Sequence, residues 1–266
     1  MEERLTKVQV RLLEPTQLVV LGGVAALAGI TWFDLWRRAS EMSMHMAMGM
    51  AMPRQAPWDV ADLGATTLMW GIMMIAMMLP SATPLLLLFA RSQRPRLGTA
   101  EGSFRTGLLA TGYLVVWLSW SGLAACLQWA LHASLLLSPS AAITSALAGG
   151  ALLVLAGVYQ LSPWKHACLV RCQSPLGFLL GRWQEGRWGA FRMGLDHGVY
   201  CVGCCWALMA LLFVGGVMNL TWIAALAVFV LLEKAVVRGR WFSFVSGGGL
   251  VVWGLYVLRA GLLPTS

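Results

Sequence analysis

Residues 193–217 read Met-Gly-Leu-Asp-His-Gly-Val-Tyr-Cys-Val-Gly-Cys-Cys-Trp-Ala-Leu-Met-Ala-Leu-Leu-Phe-Val-Gly-Gly-Val. From Gly198 onward nothing in this run is charged, and ~20 apolar residues let a helix cross a bilayer. The sulfur donors recur with a helical period. His197, Cys201, Cys205 and Met209 are each four apart, Met193 precedes His197 by four, and Cys204 follows Cys201 by three. Positions three and four apart stack on one helical face. Thiolate, thioether and imidazole donors together suit Cu(I) and, less well, Zn(II). The stretch predicts a transmembrane helix with a metal site built into it.

The rest of the chain fits that reading. Of its 266 residues, 59% are hydrophobic and 11% charged, with a mean hydropathy of +0.72; a soluble domain carries about 25% charged residues. The apolar runs lack the strict alternation of a lipid-facing barrel strand. The expected fold class is all-α, a single integral membrane domain over residues 1–266. It is a polytopic bundle of about seven spans, at 17–36, 61–90, 106–131, 141–161, 193–217, 219–237 and 243–262. Pro80 and Pro84 should kink or end the second span. The first reads as an uncleaved helix, because its apolar run continues past a signal-like Ala-Leu-Ala to Trp36.

An N-in, C-out arrangement leaves only Arg37, Arg38, Arg54 and Arg259 outside, out of 19 Lys and Arg. The positive-inside rule favours this arrangement. The net charge of +8 is that of the cytoplasmic loops. No aromatic-interleaved basic patch lies elsewhere, so the expected partner is the bilayer and not nucleic acid.

Two connections stand out. The outer one, 37–60, holds Met-Ser-Met-His-Met-Ala-Met-Gly-Met-Ala-Met at 42–52. A solvated loop has no core for methionine to fill, and thioethers bind Cu(I) where thiols would oxidise. Met44, His45, Met46, Met48 and Met50 are therefore candidate ligands. The inner connection, 162–192, is expected to contain an interfacial helix. It carries His166, Cys168 and Cys172, with the cysteines one turn apart and Lys165 and Arg171 beside them, cations that favour thiolates.

Further candidates lie inside the spans. Met69, Met73 and Met77 form one helical line, with Met74 and Met78 on the adjacent one. In antiparallel helices rising ~1.5 Å per residue, Met77 would lie at the depth of Cys201 and Met73 at that of Cys204 and Cys205. Glu233 and Lys234 fall near the inner end of the sixth span. Glu233 is a candidate to orient His197 from behind, or to reach the interface with its neighbour. A lysine, arginine or histidine near the thiolates would offset their charge. Asp34, Asp59 and Asp62 sit near the outer face as possible collectors of cations, and Cys126 reads as a small core residue.

The runs Trp70 to Ser81, Tyr159 to Pro175, His197 to Met209, and Gly216 to Asn219 followed by Glu233-Lys234 resemble a family of metal-binding integral membrane proteins. That family includes a bacterial membrane copper chaperone serving a tyrosinase-like polyphenol oxidase. The resemblance covers about residues 60–240 and leaves the outer methionines as an independent argument. It implies copper handling in a bacterial inner membrane, with a copper-dependent enzyme or another copper carrier as partner.

The expected function is a Cu(I) trafficking relay and not an enzyme. The outer methionines capture the ion. Met69, Met73 and Met77 with Cys204, Cys205 and Met209 hold it in the membrane. His197, Cys201 and the Cys168–Cys172 pair form the inner end, with Glu233, Lys165 and His166 behind them. No P-loop and no Asp-Lys-Thr-Gly run is present to power it. The rivals are a thiol–disulfide oxidoreductase using Cys201-x-x-Cys204, a Zn(II) protein with the same ligands, and a structural subunit in which Met and Cys only pack helices.

Overall fold

The computed structural model describes residues 15–48, 59–134, 137–138, 141–236 and 240–262. These fold as helices: α1 (Pro15–Ala47), α2 (Val60–Ala133), α3 (Ala146–Leu161), α4 (Pro163–Gln173), α5 (Pro175–Arg182), α6 (Gly186–Ala210), α7 (Leu212–Gly215), α8 (Leu220–Leu231), a π-helical turn (Leu232–Val236) and α9 (Arg240–Leu262). Among the described residues extended pairing is limited to one bridge, Leu137 with Ile143.

Among the described residues five helical runs are long and apolar enough to cross a membrane: Pro15–His45, Val60–Gln93, Gly98–Ala133, Gly186–Gly215 and Arg240–Leu262. Counting α3 and α4, which meet at 64°, as one bent span gives six. The expected spans at 141–161 and 219–237 fold as shorter pieces, α3 with 16 residues and α8 with 12 followed by the π turn. Both fall below the ~20 residues of a straight crossing.

Pro80 and Pro84 do not end the second span; α2 runs through both and breaks at Gly98, whose φ of 74° no other residue type adopts easily. Pro80 has no N–H to give the Ala76 carbonyl four residues back. The Trp32 indole of α1 donates to that carbonyl instead, at 3.1 Å, so the helix stays satisfied in an apolar setting.

Two contacts set the bundle around the sulfur-bearing helix. The second arm of α2 crosses α6 where Gly112 meets Gly194, and a Cβ on either would overlap the backbone oxygen of Phe191 or Leu109. This approach brings Tyr113 against α6. On the other side α3 lies antiparallel to α9, with Gly150 beside Gly254 and Gly157 beside Gly247.

The ends of the bundle differ. At one end the Ile143 amide donates to the Phe213 carbonyl at 2.7 Å, joining the start of α3 to the end of α7. A cavity of about 430 Å³ opens there between Trp36, Ser40 and Ser43 of α1 and Met218 and Asn219. At the other end Arg187 of α6 bridges Glu101 of α2 at 2.9 Å. We refer to these as the methionine end and the arginine end.

A candidate metal centre

The middle of α6 divides its donors between two neighbours. Cys201, Cys204 and Cys205 are each 1% exposed. Cys204 faces α4, where the Cys172 sulfur stands 3.8 Å from its own. Cys201 faces α2 and the π turn. Its sulfur lies 3.0 Å from the Tyr113 hydroxyl and 2.8 Å from the Lys234 ammonium. The thiols of Cys172, Cys201, Cys204 and Cys205 form one interacting cluster. Around it Met69, Met73, Met74, Met77, Met78 and Met209 share one buried core with the three α6 cysteines.

With metal–sulfur bonds of ~2.3 Å, two sulfurs on one ion stand ~3.8 Å apart in tetrahedral and ~4.6 Å apart in linear coordination. The Cys172–Cys204 separation of 3.8 Å falls in that range. A three-residue His, Cys, Asp or Glu site is not preformed among the described residues. Cys204 and Cys205 direct their thiols to the Cys201 carbonyl oxygen at 3.1 and 2.8 Å, and a further ligand joins by rotating away from it.

The charges are arranged with equal care. Lys165 and Glu233 form an ion pair at 2.7 Å, their side chains 1% and 2% exposed. Glu233 also accepts from Gln160 and Ser243, each at 2.8 Å, while Lys165 donates to the Cys204 carbonyl at 3.0 Å. An ion pair this deep holds only with its remaining hydrogen bonds made, and these tie α3, α4, α6 and α9 to the π turn. Adjacent residues on a helix point ~100° apart, so Lys234 faces different neighbours from Glu233. Among the described residues its hydrogen-bond partners are Cys201, Ser81 at 3.4 Å, Cys205 at 3.9 Å and Met78 at 4.0 Å. No carboxylate is among them, so the buried groups carry one positive charge beyond their acid. Thiolates, or a thiolate-bound monovalent cation, balance it.

His197 lies one turn from Cys201, 3% exposed, its ring 5.7 Å from Tyr113 and 5.1 Å from Phe178. Among the described residues its buried Nδ1 has no hydrogen-bond partner. Met209 continues the line toward the methionine end, beside Trp70, Trp206 and Phe213. Cys168 is set aside from the sulfur cluster, against Gly203, where a Cβ would come within 2.9 Å of its sulfur.

Several expectations are corrected. Glu233 neither orients His197 nor reaches the interface; it is committed to Lys165, because helical rotation carries it toward α3 and α4. Lys165 is spent on Glu233 and does not flank the cysteine pair. Arg171 stacks over the Tyr200 ring at 4.5 Å and still lies close enough to act on Cys168, as expected. His166 faces a small cleft with Arg240 and Phe244, away from the thiols. The inner connection is α4, α5 and the start of α6; α5 is helical across its apolar middle, where a helix is expected, and α4 packs on α6.

The outer connection is also more helical than expected, since α1 continues to Ala47. Met and Ala are good helix formers, and Arg37 pairs with Asp34 and Glu41 at helical spacing. Met44, His45 and Met48 are exposed there; Met50 and the side chain of Met46 lie outside the described residues. Asp59 and Asp62 are used as a reciprocal cap for α2, and Asp34 pairs with Arg37 and Arg38. Cys126 is exposed and not in the core.

Three contributors were not assigned from sequence. Met78 meets the Cys201 level beside Met77, and its carbonyl accepts the Tyr113 hydroxyl at 3.0 Å. Tyr113 carries no motif. Lys234 was visible as a buried charge, but its direction was not.

A family model described as PpoB2, copper chaperone, matches residues 67–257. That stretch runs from just before Met69 into α9 and contains every member of the sulfur cluster. No curated protein and no solved structure matches the chain.

Proposed function

From the premise that this chain belongs to the PpoB2 copper chaperone family, which makes it a metal carrier and not an enzyme, we propose that it is a membrane-embedded Cu(I) carrier working by ligand exchange. The observation that carries this reading is the convergence of Cys172, Cys201, Cys204 and Cys205 in a methionine-lined core with the Lys234 ammonium at 2.8 Å from Cys201. Soft donors select Cu(I). A bis-thiolate Cu(I) unit carries one negative charge, which Lys234 neutralises where an unbalanced charge is costly.

The proposed setting is a bacterial inner membrane, with the methionine end outside and the arginine end inside. In this arrangement α3 with α4, and α8 with the π turn, are crossings broken at the depth of the metal. Irregular backbone is tolerated at membrane depth where it is buried in protein. Exposed Met44, His45 and Met48 collect the ion. Met218, beside the cavity at that end and packed against the core, leads toward Met69, Met73 and Met209. Cys201, Cys204, Cys205 and Cys172 hold the ion, with His197 and Cys168 flanking them. The recipient or donor is a copper-dependent enzyme or another carrier.

An oxidoreductase built on Cys201 and Cys204 accounts for the thiols but gives no role to the buried methionines or the exposed ones on α1. The test is metal content of the full chain purified in detergent under reducing, anaerobic conditions, followed by Cu(I) competition titration. Stoichiometric copper is expected. Zinc in its place would keep the ligands and discard Cu(I) transfer, and thiols cycling through a disulfide without metal would favour the oxidoreductase.

A further inference from the structure

The Lys234 ammonium occupies an unusual position. It is a cation surrounded by sulfur: Cys201 at 2.8 Å, Cys205 at 3.9 Å and Met78 at 4.0 Å, with the Ser81 hydroxyl at 3.4 Å. These groups come from two different helices, and no carboxylate is among them. Buried lysines ordinarily find an acid, and one stands next door in Glu233, already bonded to Lys165. The polypeptide has thus placed a positive charge where the neighbouring ligands are soft donors.

A second sulfur pair adjoins this one on its far side from Lys234. Cys204 projects from α6 toward α4 and meets Cys172. Cys201 and Cys205, four apart, project toward α2 and Lys234. The two pairs adjoin: Cys201 interacts with Cys172 and Cys204 as well as Cys205, and Cys204 with Cys205.

We propose that Met78, Cys201 and Cys205 form a second Cu(I) station, distinct from Cys172–Cys204, whose position the Lys234 ammonium marks in the metal-free protein. This rests on the copper-carrier reading and refines it. Copper enters when Lys234 withdraws toward Ser81, where it remains close enough to balance the thiolates. Cys201, shared by both groups, is the pivot on which the ion passes from one station to the other without leaving sulfur. A thioether at one station and only thiols at the other give the two unequal affinities, which govern how readily copper steps between them, while the donor and recipient outside the chain set the direction of net transfer.

The experiment uses the full chain in detergent, under reducing conditions, with Cu(I) presented against a chromophoric chelator. Met78→Leu with Cys205→Ser is expected to retain Cu(I) through Cys172 and Cys204. Cys172→Ser with Cys204→Ser is expected to retain Cu(I) at the Met78 station, and all four changes together abolish binding. Loss of all copper in either double variant would show one indivisible site and overturn the proposal. Selenomethionine labelling of the Cys172→Ser/Cys204→Ser protein gives the second readout. Selenium-edge absorption is expected to show a copper neighbour that Met78→Leu removes. Bound copper with an unchanged selenium signal after Met78→Leu would exclude Met78 and overturn the station as drawn. A wild-type chain that takes no Cu(I) would instead defeat the carrier reading itself.

Discussion

Met44 and Met48 stand in the open on the last turns of α1, 58% and 53% exposed, whereas Cys201, Cys204 and Cys205 are each 1% exposed in the middle of α6. The two regions share soft sulfur donors and almost nothing else. A thioether is neutral and loses no proton on binding, so it works from any exposed helical face. A thiolate at membrane depth needs burial, a counter-charge and satisfied neighbours. Lys234, Tyr113 and the Glu233–Lys165 pair meet those needs. The family match begins at residue 67, so it includes the buried region and omits the exposed one. The core is a tertiary construction, and the α1 methionines are a local one.

That contrast can be broken at its strongest point first. Glu233→Leu leaves Lys165 buried without its acid, and removing one partner of a buried pair costs about 3–5 kcal/mol. A sharply lowered unfolding midpoint in detergent is expected, whereas Glu41→Ala, which removes an exposed partner of Arg37, leaves the midpoint in place. Equal effects would erase the distinction between the regions.

Next in size is binding. Cys201→Ser with Cys204→Ser should weaken Cu(I) by about a hundredfold or more, ~2.7 kcal/mol, in competition titration. Lys234→Met is expected to weaken it about tenfold, because the bis-thiolate loses its counter-cation, and Lys234→Arg should recover most of that loss. An unchanged affinity in Lys234→Met would remove charge balance from the account.

The smallest equilibrium effect belongs to α1. Met44→Leu with Met48→Leu should leave the affinity of the core within about twofold, ~0.4 kcal/mol, while slowing copper loading in stopped-flow transfer from a small-molecule donor. A large drop in affinity would make the exposed methionines part of the main site.

Much of this was legible in the chain because it is periodic. The four-residue spacing from His197 to Met209 fixed α6 and its sulfur face, and hydropathy located the five long helices. Span boundaries failed where a non-local partner decides. Trp32 donates to the Ala76 carbonyl and lets α2 continue through Pro80, and Gly98, unremarkable in sequence, breaks it. Cys172 was recognised as a ligand candidate, but its pairing with Cys204 depends on how α4 folds back at 64° after Leu161. Glu233 and Lys234 were visible as buried charges, yet adjacent residues on a helix face different neighbours, and only packing tells which. Tyr113 reaches Cys201 because two glycines let α2 and α6 touch, a consequence of tertiary contact with no local signature.

The central claim is that the buried thiols hold Cu(I). It is tested most directly by copper content and Cu(I) competition titration of the reduced, full-length protein beside its Cys201→Ser/Cys204→Ser/Cys205→Ser variant. The account predicts tightly bound, stoichiometric copper that the variant loses while still folding as a helical membrane protein. Copper retained by that variant, or none bound by the wild type, would contradict it.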